Sequence, residues 1–233
     1  MIDPIVLTGT VDSPETTYHK IAWRKQYEIW NHANGIISGP LPSQQDLAAA
    51  VIQLQRAIEL RDKLLDQLYN FTKLPYVTAK APYPIMSDLG LIRPTMKIQL
   101  RELRNKLAHE TDEPMLRQKE CELLSDTAWY YLKATDRLTQ QCAEILGVNY
   151  WLPDKTSGRY EIAFDRATWE AGITGDMSPD LISEKESVGC LCVRVNEARI
   201  ENYDGHLRFT GKLTGSTVAL KSLIQSFFDE SVL

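Results

Sequence analysis

Residues Ser43 to Asn70, SQQDLAAAVIQLQRAIELRDKLLDQLYN, decide the fold class. Ser43 is placed to cap a helix, and Asp46 three residues on completes a capping-box-like pattern. Leu47, Val51, Leu54, Ile58, Leu65 and Leu68 then recur at helical spacing and form one apolar stripe. Arg61 fills the gap in that stripe. It reads first as a side chain that snorkels from an apolar face to water, and more sharply as a cation aimed at an internal site.

Working outward, the segment before this helix predicts another, from Pro14 to about Asn34. Trp23, Tyr27, Trp30 and Asn34 share a face, with Ile37 just beyond, and Gly35 reads as the stop. After it, Pro75, Pro82, Pro84 and Pro94 mark residues 75–94 as mostly a connection. A third helix is expected from about Thr95. Asp112 and Pro114 read as the start of a fourth. Leu124, Ala128, Tyr131, Leu138, Cys142 and Ile145 form its stripe, and Gly147 is placed to end it. Four amphipathic helices predict an up-and-down bundle over residues 1–149.

Residues 150–233 read differently. Arg159–Asp165, Val188–Val195 and Leu207–Leu213 have strand character, and Tyr203-Asp204-Gly205-His206 carries a hairpin turn signal. Thr217–Phe228 reads as a closing helix. The fold class expected is mainly α, a four-helix up-and-down bundle followed by a small α+β domain.

The 233 residues carry 26 Lys+Arg and 31 Asp+Glu, a net charge of −5, which argues against a polyanion coat protein but not against a small basic site. The 43% hydrophobic and 24% charged fractions exclude wholesale disorder. No apolar run is long enough for a membrane span, and Met1–Glu15 lacks the pattern of a signal peptide. Of the four cysteines, Cys121 and Cys142 fall in helical patterns and read as small buried hydrophobes. Cys190 and Cys192 alternate along a strand, and no second pair or His cluster completes a metal site. A reduced, cytoplasmic protein is the expectation.

The segment with chemical content is Leu100-Arg-Glu-Leu-Arg-Asn-Lys-Leu-Ala-His-Glu110. At 3.6 residues per turn, Met96, Leu100, Leu103 and Leu107 fall on one seam. Lys97, Arg101 and Arg104 fall on a neighbouring stripe, which reads either as a solvated face or as an attractor of phosphate. Asn105 and His109 stand at i and i+4 and share a face if the helix reaches that far. Arg104 and His109 would lie about 140° apart on an ideal helix, so they converge only where the helix ends or distorts, or across an interface.

Arg104-Asn105-Lys106-Leu107-Ala108-His109 resembles the signature of HEPN domains, an Arg and a His separated by four residues. The likeness extends in outline over residues 15–149. It implies a HEPN-like bundle and a metal-independent endoribonuclease, a toxin or antiviral defence effector, acting as a homodimer on RNA. In that reading Arg104, His109 and Asn105 are catalytic. His109 moves a proton at the ribose 2′-OH or the leaving oxygen, Arg104 clamps the phosphate, and Asn105 orients the phosphate or the His. Lys97, Arg101 and Lys106 guide the RNA backbone. No cofactor or metal is implied. Some HEPN toxins carry a Tyr two residues after the His that a partner modifies. Here Thr111 stands there, which removes support for that antidote but leaves an antitoxin or regulatory protein as a possible partner. The competing reading is a non-catalytic HEPN-like scaffold that dimerises and binds a protein or nucleotide. A third makes the second domain active through His206, Asp204 and Ser216, although these form no recognisable triad.

Overall fold

The computed structural model describes residues 10–11, 15–17, 24–74, 82–93, 98, 102, 116–140, 142–151, 157–177, 191–200, 205–215 and 217–232. The protein is mixed α+β and divides into two compact units. One comprises Tyr18–Thr72 and Ala79–Gln140, and is helical among its described residues. The other comprises Met1–Thr17, Lys73–Thr78 and Gln141–Leu233, and is built on a sheet.

In the helical unit, α1 (Arg24–Ile37) and α2 (Gln44–Tyr69) form a helical hairpin, α3 (Pro82–Asp88) is short, and α4 (Gln118–Gln140) packs on both α1 and α2. The start of α2 is as the sequence predicts. Ser43 Oγ accepts from Asp46 N–H, and Asp46 Oδ2 accepts from Ser43 N–H at 3.0 Å. Leu47, Val51, Leu54, Ile58 and Leu65 are buried. Asn70 ends the helix in the left-handed region, at φ 47°. Contacts fix the directions. Tyr27 meets Asp136 and Asn34 meets Ser125, so α1 and α4 are antiparallel. Gln44 meets Leu116, Asp62 meets Tyr131 and Tyr69 meets Leu138, so α2 and α4 run the same way.

Three expectations are corrected here. The first helix does not reach back to Glu15, because Glu15–Thr17 is a strand, in which β-branched Thr16 and Thr17 pair with Ala143 and Cys142. Gly35 does not stop α1, which continues to Ile37 before Gly39 N–H turns back to Ile36 O. The fourth helix ends at Gln140 rather than near Gly147. Cys142 and Ile145, placed in a helical stripe by spacing, belong to a strand with seven cross-strand partners in the next one. The apolar run 142–151 satisfies either period, and pairing decides between them. Residue 150, the expected start of the second domain, therefore lies inside that strand. The expected third helix lies outside the described residues except at Ile98 and Glu102, which are helical.

The sheet unit holds β1 (Thr10–Val11), β2 (Glu15–Thr17), β3 (Cys142–Trp151), β4 (Ser157–Asp165), β5 (Glu170–Met177), β6 (Leu191–Ile200) and β7 (Leu207–Gly215), all antiparallel. Their order is β1-β3-β4-β5-β7-β6, with β2 also on β3. A helix, α5 (Thr217–Val232), follows β7. The expected strands Arg159–Asp165 and Leu207–Leu213 and the closing helix are present; of Val188–Val195, residues 191–195 are strand and residues 188–190 lie outside the described residues. The β6–β7 hairpin turns through Gly205 at φ 72°, while Asp204 lies outside the described residues. Alternation sets the faces: Tyr160, Ile162 and Phe164 are buried, whereas Arg159, Glu161, Ala163 and Asp165 are exposed. Trp169 at φ 57° closes the β4–β5 turn and packs on Phe164 and Phe228. Gly175 is the cross-strand partner of Tyr160, and an added Cβ would stand 2.5 Å from the Tyr160 Cβ.

Candidate functional site

All six residues assigned from sequence, Lys97, Arg101, Arg104, Asn105, Lys106 and His109, lie outside the described residues. So do Thr111, Asp204 and Ser216; His206 is half-buried beside the β6–β7 turn. The flanks of the motif segment are described. Arg93 is exposed before it, Ile98 and Glu102 are exposed helical positions, and Leu116 is buried after it.

The chain returns from that segment into a clasp. Gln44 Oε1 accepts from Leu116 N–H at 2.7 Å, and Gln44 Nε2 donates to Leu116 O at 3.0 Å. Gln118 Nε2 donates to Ile37 O at 2.7 Å and reaches Gly39 O at 3.4 Å, satisfying carbonyls at the end of α1. The first turn of α4 is thereby tied to the α1–α2 corner.

Deeper in the helical unit lies a polar constellation. Arg61 is fully buried, so it does not snorkel. Its Nη1 lies 3.2 Å from Asp136 Oδ1, Thr135 Oγ1 and Thr139 Oγ1 and 3.3 Å from Leu132 O, and its Nη2 lies 3.1 Å from Asp136 Oδ1. The threonine hydroxyls donate to carbonyls of their own helix, which leaves lone pairs for the guanidinium. Asp136 Oδ2 accepts from the Tyr27 hydroxyl at 2.7 Å and stands 3.6 Å from Lys133 Nζ. That ammonium lies 5.0 Å from the Tyr27 ring centroid and 5.5 Å from that of Trp129. One turn away, Asp62 accepts from the Tyr131 hydroxyl.

Three elements build this cluster: Tyr27 from α1, Arg61 from α2, and the remainder from α4. Burial, then the hydrogen bond and charge of Asp136, push the Tyr27 phenol well above its ordinary range. A phenol held protonated and a carboxylate engaged through both oxygens offer no free base. The chemistry is that of an internal tie between helices. Burial also raises the Asp66 carboxyl and the Cys121 thiol, so Cys121 is an inert core thiol.

Sequence reasoning found Arg61 but missed Asp136, Tyr27, Thr135 and Thr139 as its partners. A usable signal was present: a buried Arg needs an acid, and Asp136 stands between Leu132 and Thr139 on the packed side of α4. Among the described residues no group of three or more His, Cys, Asp and Glu could hold a metal ion. Among them, too, no helix is long and apolar enough to cross a membrane. No protein-family model, no curated protein and no solved structure matches the chain.

Proposed function

We propose that the protein is a HEPN-like, metal-independent endoribonuclease. The observation that carries this reading is the string Arg104-Asn105-Lys106-Leu107-Ala108-His109, in a segment that follows α2 and precedes α4. The helix directions support it. α2 and α4 run the same way, as do the second and fourth helices of an up-and-down bundle.

In the proposed reaction the ribose 2′-oxygen attacks the adjacent phosphorus and the bond from phosphorus to the 5′-oxygen breaks. The products are a 2′,3′-cyclic phosphate and a 5′-hydroxyl. His109 takes the 2′-OH proton or supplies one to the leaving oxygen. Arg104 holds the non-bridging oxygens as charge builds on them, and Asn105 orients the phosphate. Lys97, Arg101 and Lys106 contact neighbouring phosphates. A homodimer brings two motifs to one cleft, and light scattering at working concentration checks it. The test of the activity is cleavage of structured and unstructured RNA in EDTA by wild type and His109→Ala. The expected result is cleavage by wild type alone, with cyclic-phosphate ends. Equal cleavage by both proteins would falsify the assignment.

One observation favours a second reading, a non-catalytic interaction protein. Leu123 and Tyr130, seven residues apart on one face of α4, are each 61% exposed. That reading expects partner binding that survives His109→Ala and is lost in Leu123→Ser with Tyr130→Ser.

A further inference from the structure

The sheet ends differently at its two sides. At one side β3 is covered by β1 and β2, strands of two and three residues. Such short edge strands leave little free backbone and so discourage further pairing. At the other side stands β6, ten residues long, and among the described residues no strand pairs with its outer edge. It contains neither proline nor lysine, two residues that often blunt an edge. A long strand in that place offers its backbone to an added strand.

Register with β7 sorts the residues of β6 into two rows, since directly opposite residues share a face. Leu191, Val193, Val195, Ala198 and Ile200 belong to the face on which Phe209, Gly211 and Leu213 of β7 are buried. Cys192, Arg194, Glu197 and Arg199 belong to the face on which Arg208, Thr210 and Lys212 are exposed. The alternation changes phase at Asn196, because Val195 stands opposite Gly211 and Glu197 opposite Thr210. A second copy of β6 carries the same change of phase. Running antiparallel across a two-fold axis between residues 195 and 196, it keeps both rows together along the edge.

In that register Leu191 stands opposite the partner's Ile200, Val193 opposite the partner's Ala198, and Arg194 opposite the partner's Glu197. The two-fold repeats each pair, so two Arg–Glu pairs flank the axis. Moving the axis on by one residue would set Arg194 against the partner's Arg199, a like charge. Moving it back by one would set Arg194 against the partner's Val195, from the other row. Within its own chain Arg194 stands opposite Lys212, also a like charge, which Glu170 engages at 2.6 Å. An acid brought by a second copy is therefore a favourable neighbour.

We infer that the outer edge of β6 is a homodimer interface, at which two copies join their sheets by antiparallel strand addition. The inference does not rest on the ribonuclease reading, and the Arg104–His109 segment takes no part in it.

The test uses the full chain, with mass measured by light scattering over a concentration series. Arg194→Glu and Glu197→Arg each place like charges opposite one another at both positions beside the axis. Each is expected to raise the dimer Kd by about tenfold or more. The fold is expected to hold, since Arg194→Glu sets opposite charges across from Lys212 and Glu197→Arg stands across from Thr210. The double variant restores both pairs in reverse and is expected to dimerise like wild type. An equimolar mixture of the two single variants also restores both pairs, but only in mixed dimers, and is expected to dimerise where neither does alone. Wild type that stays monomeric throughout the series overturns the inference. So does a dimer indifferent to these charges, since it forms through another surface. Dissociation that neither the mixture nor the double variant reverses overturns it as well. Circular dichroism reports the fold, and where a single variant unfolds, dimerisation of the double variant decides.

Discussion

The two units solve the problem of a defined core by different means. In the helical unit, Gln26, Arg61, Asp62, Ser125, Thr135 and Thr139 are buried together with the apolar stripe of α2. The described core of the sheet unit is apolar and aromatic, from Leu146 and Tyr160 through Trp169 to Phe228. The difference follows from where each architecture keeps its directional bonds. Each helix spends its backbone hydrogen bonds internally, so nothing in the backbone fixes how far one helix slides along another. The Arg61–Asp136–Tyr27 tie and the Gln44 clasp supply that register. In the sheet, the ladders β3–β4–β5–β7 fix register through the backbone itself, and side chains are left to pack.

Removing the charge from the helical core should break this contrast most severely. Arg61→Ala takes from Asp136, which is 15% exposed, its buried cation and leaves it the exposed Lys133 ammonium at 3.6 Å, and a loss of about 3–5 kcal/mol in urea unfolding is expected. Arg61→Met with Asp136→Leu removes both charges and should recover much of that loss. If the double variant is as unstable as the single, packing and not charge pairing sets the stability of this core.

Next in size is an overpacking test of the sheet. At Gly175 an added Cβ would stand 2.4 Å from Arg159 O and 2.5 Å from Tyr160 Cα, so the strands must part. Gly175→Ala should cost about 1–3 kcal/mol. Gly172→Ala, where the nearest atom is Gly211 O at 3.9 Å, is the matched control and should cost less than about 1 kcal/mol.

How much of this was legible in sequence follows from the same division. The capping box, the stripe of α2 and the alternation of β4 were readable because each depends on neighbours within one element. The strand β3 was not, because its apolar run fits both a helix and a strand and only β4 decides. Thr16 and Thr17 were missed for the same reason, since their partners lie far along the chain at Ala143 and Cys142. The motif from Arg104 to His109 was legible as a string. The buried partners of Arg61 were not, because they come from two other helices.

The smallest expected effect is at the start of α2. Ser43→Ala should lower stability by about 1 kcal/mol. Hydrogen bonds from Ser43 hold the Asp46 carboxyl below its usual value. The stabilisation linked to Asp46 is therefore present above its unfolded value and is lost as pH falls through the depressed one. In Ser43→Ala that carboxyl should return toward the ordinary range, as an NMR titration would read. An unmoved Asp46 would mean that the capping box does not persist in solution.

The pairing of Thr17 with Cys142 also sets an order of events during synthesis. β1 and β2 leave the ribosome before the helical unit, yet their partner strand follows it. The helices make contacts closer in sequence and are able to consolidate as they emerge, whereas the sheet must close the stretch from Thr17 to Cys142. β1 and β2 are then secured only once β3 has followed the helical unit, although they are made before it. A chain stopped before Cys142 leaves them with no β3 edge to join until translation continues.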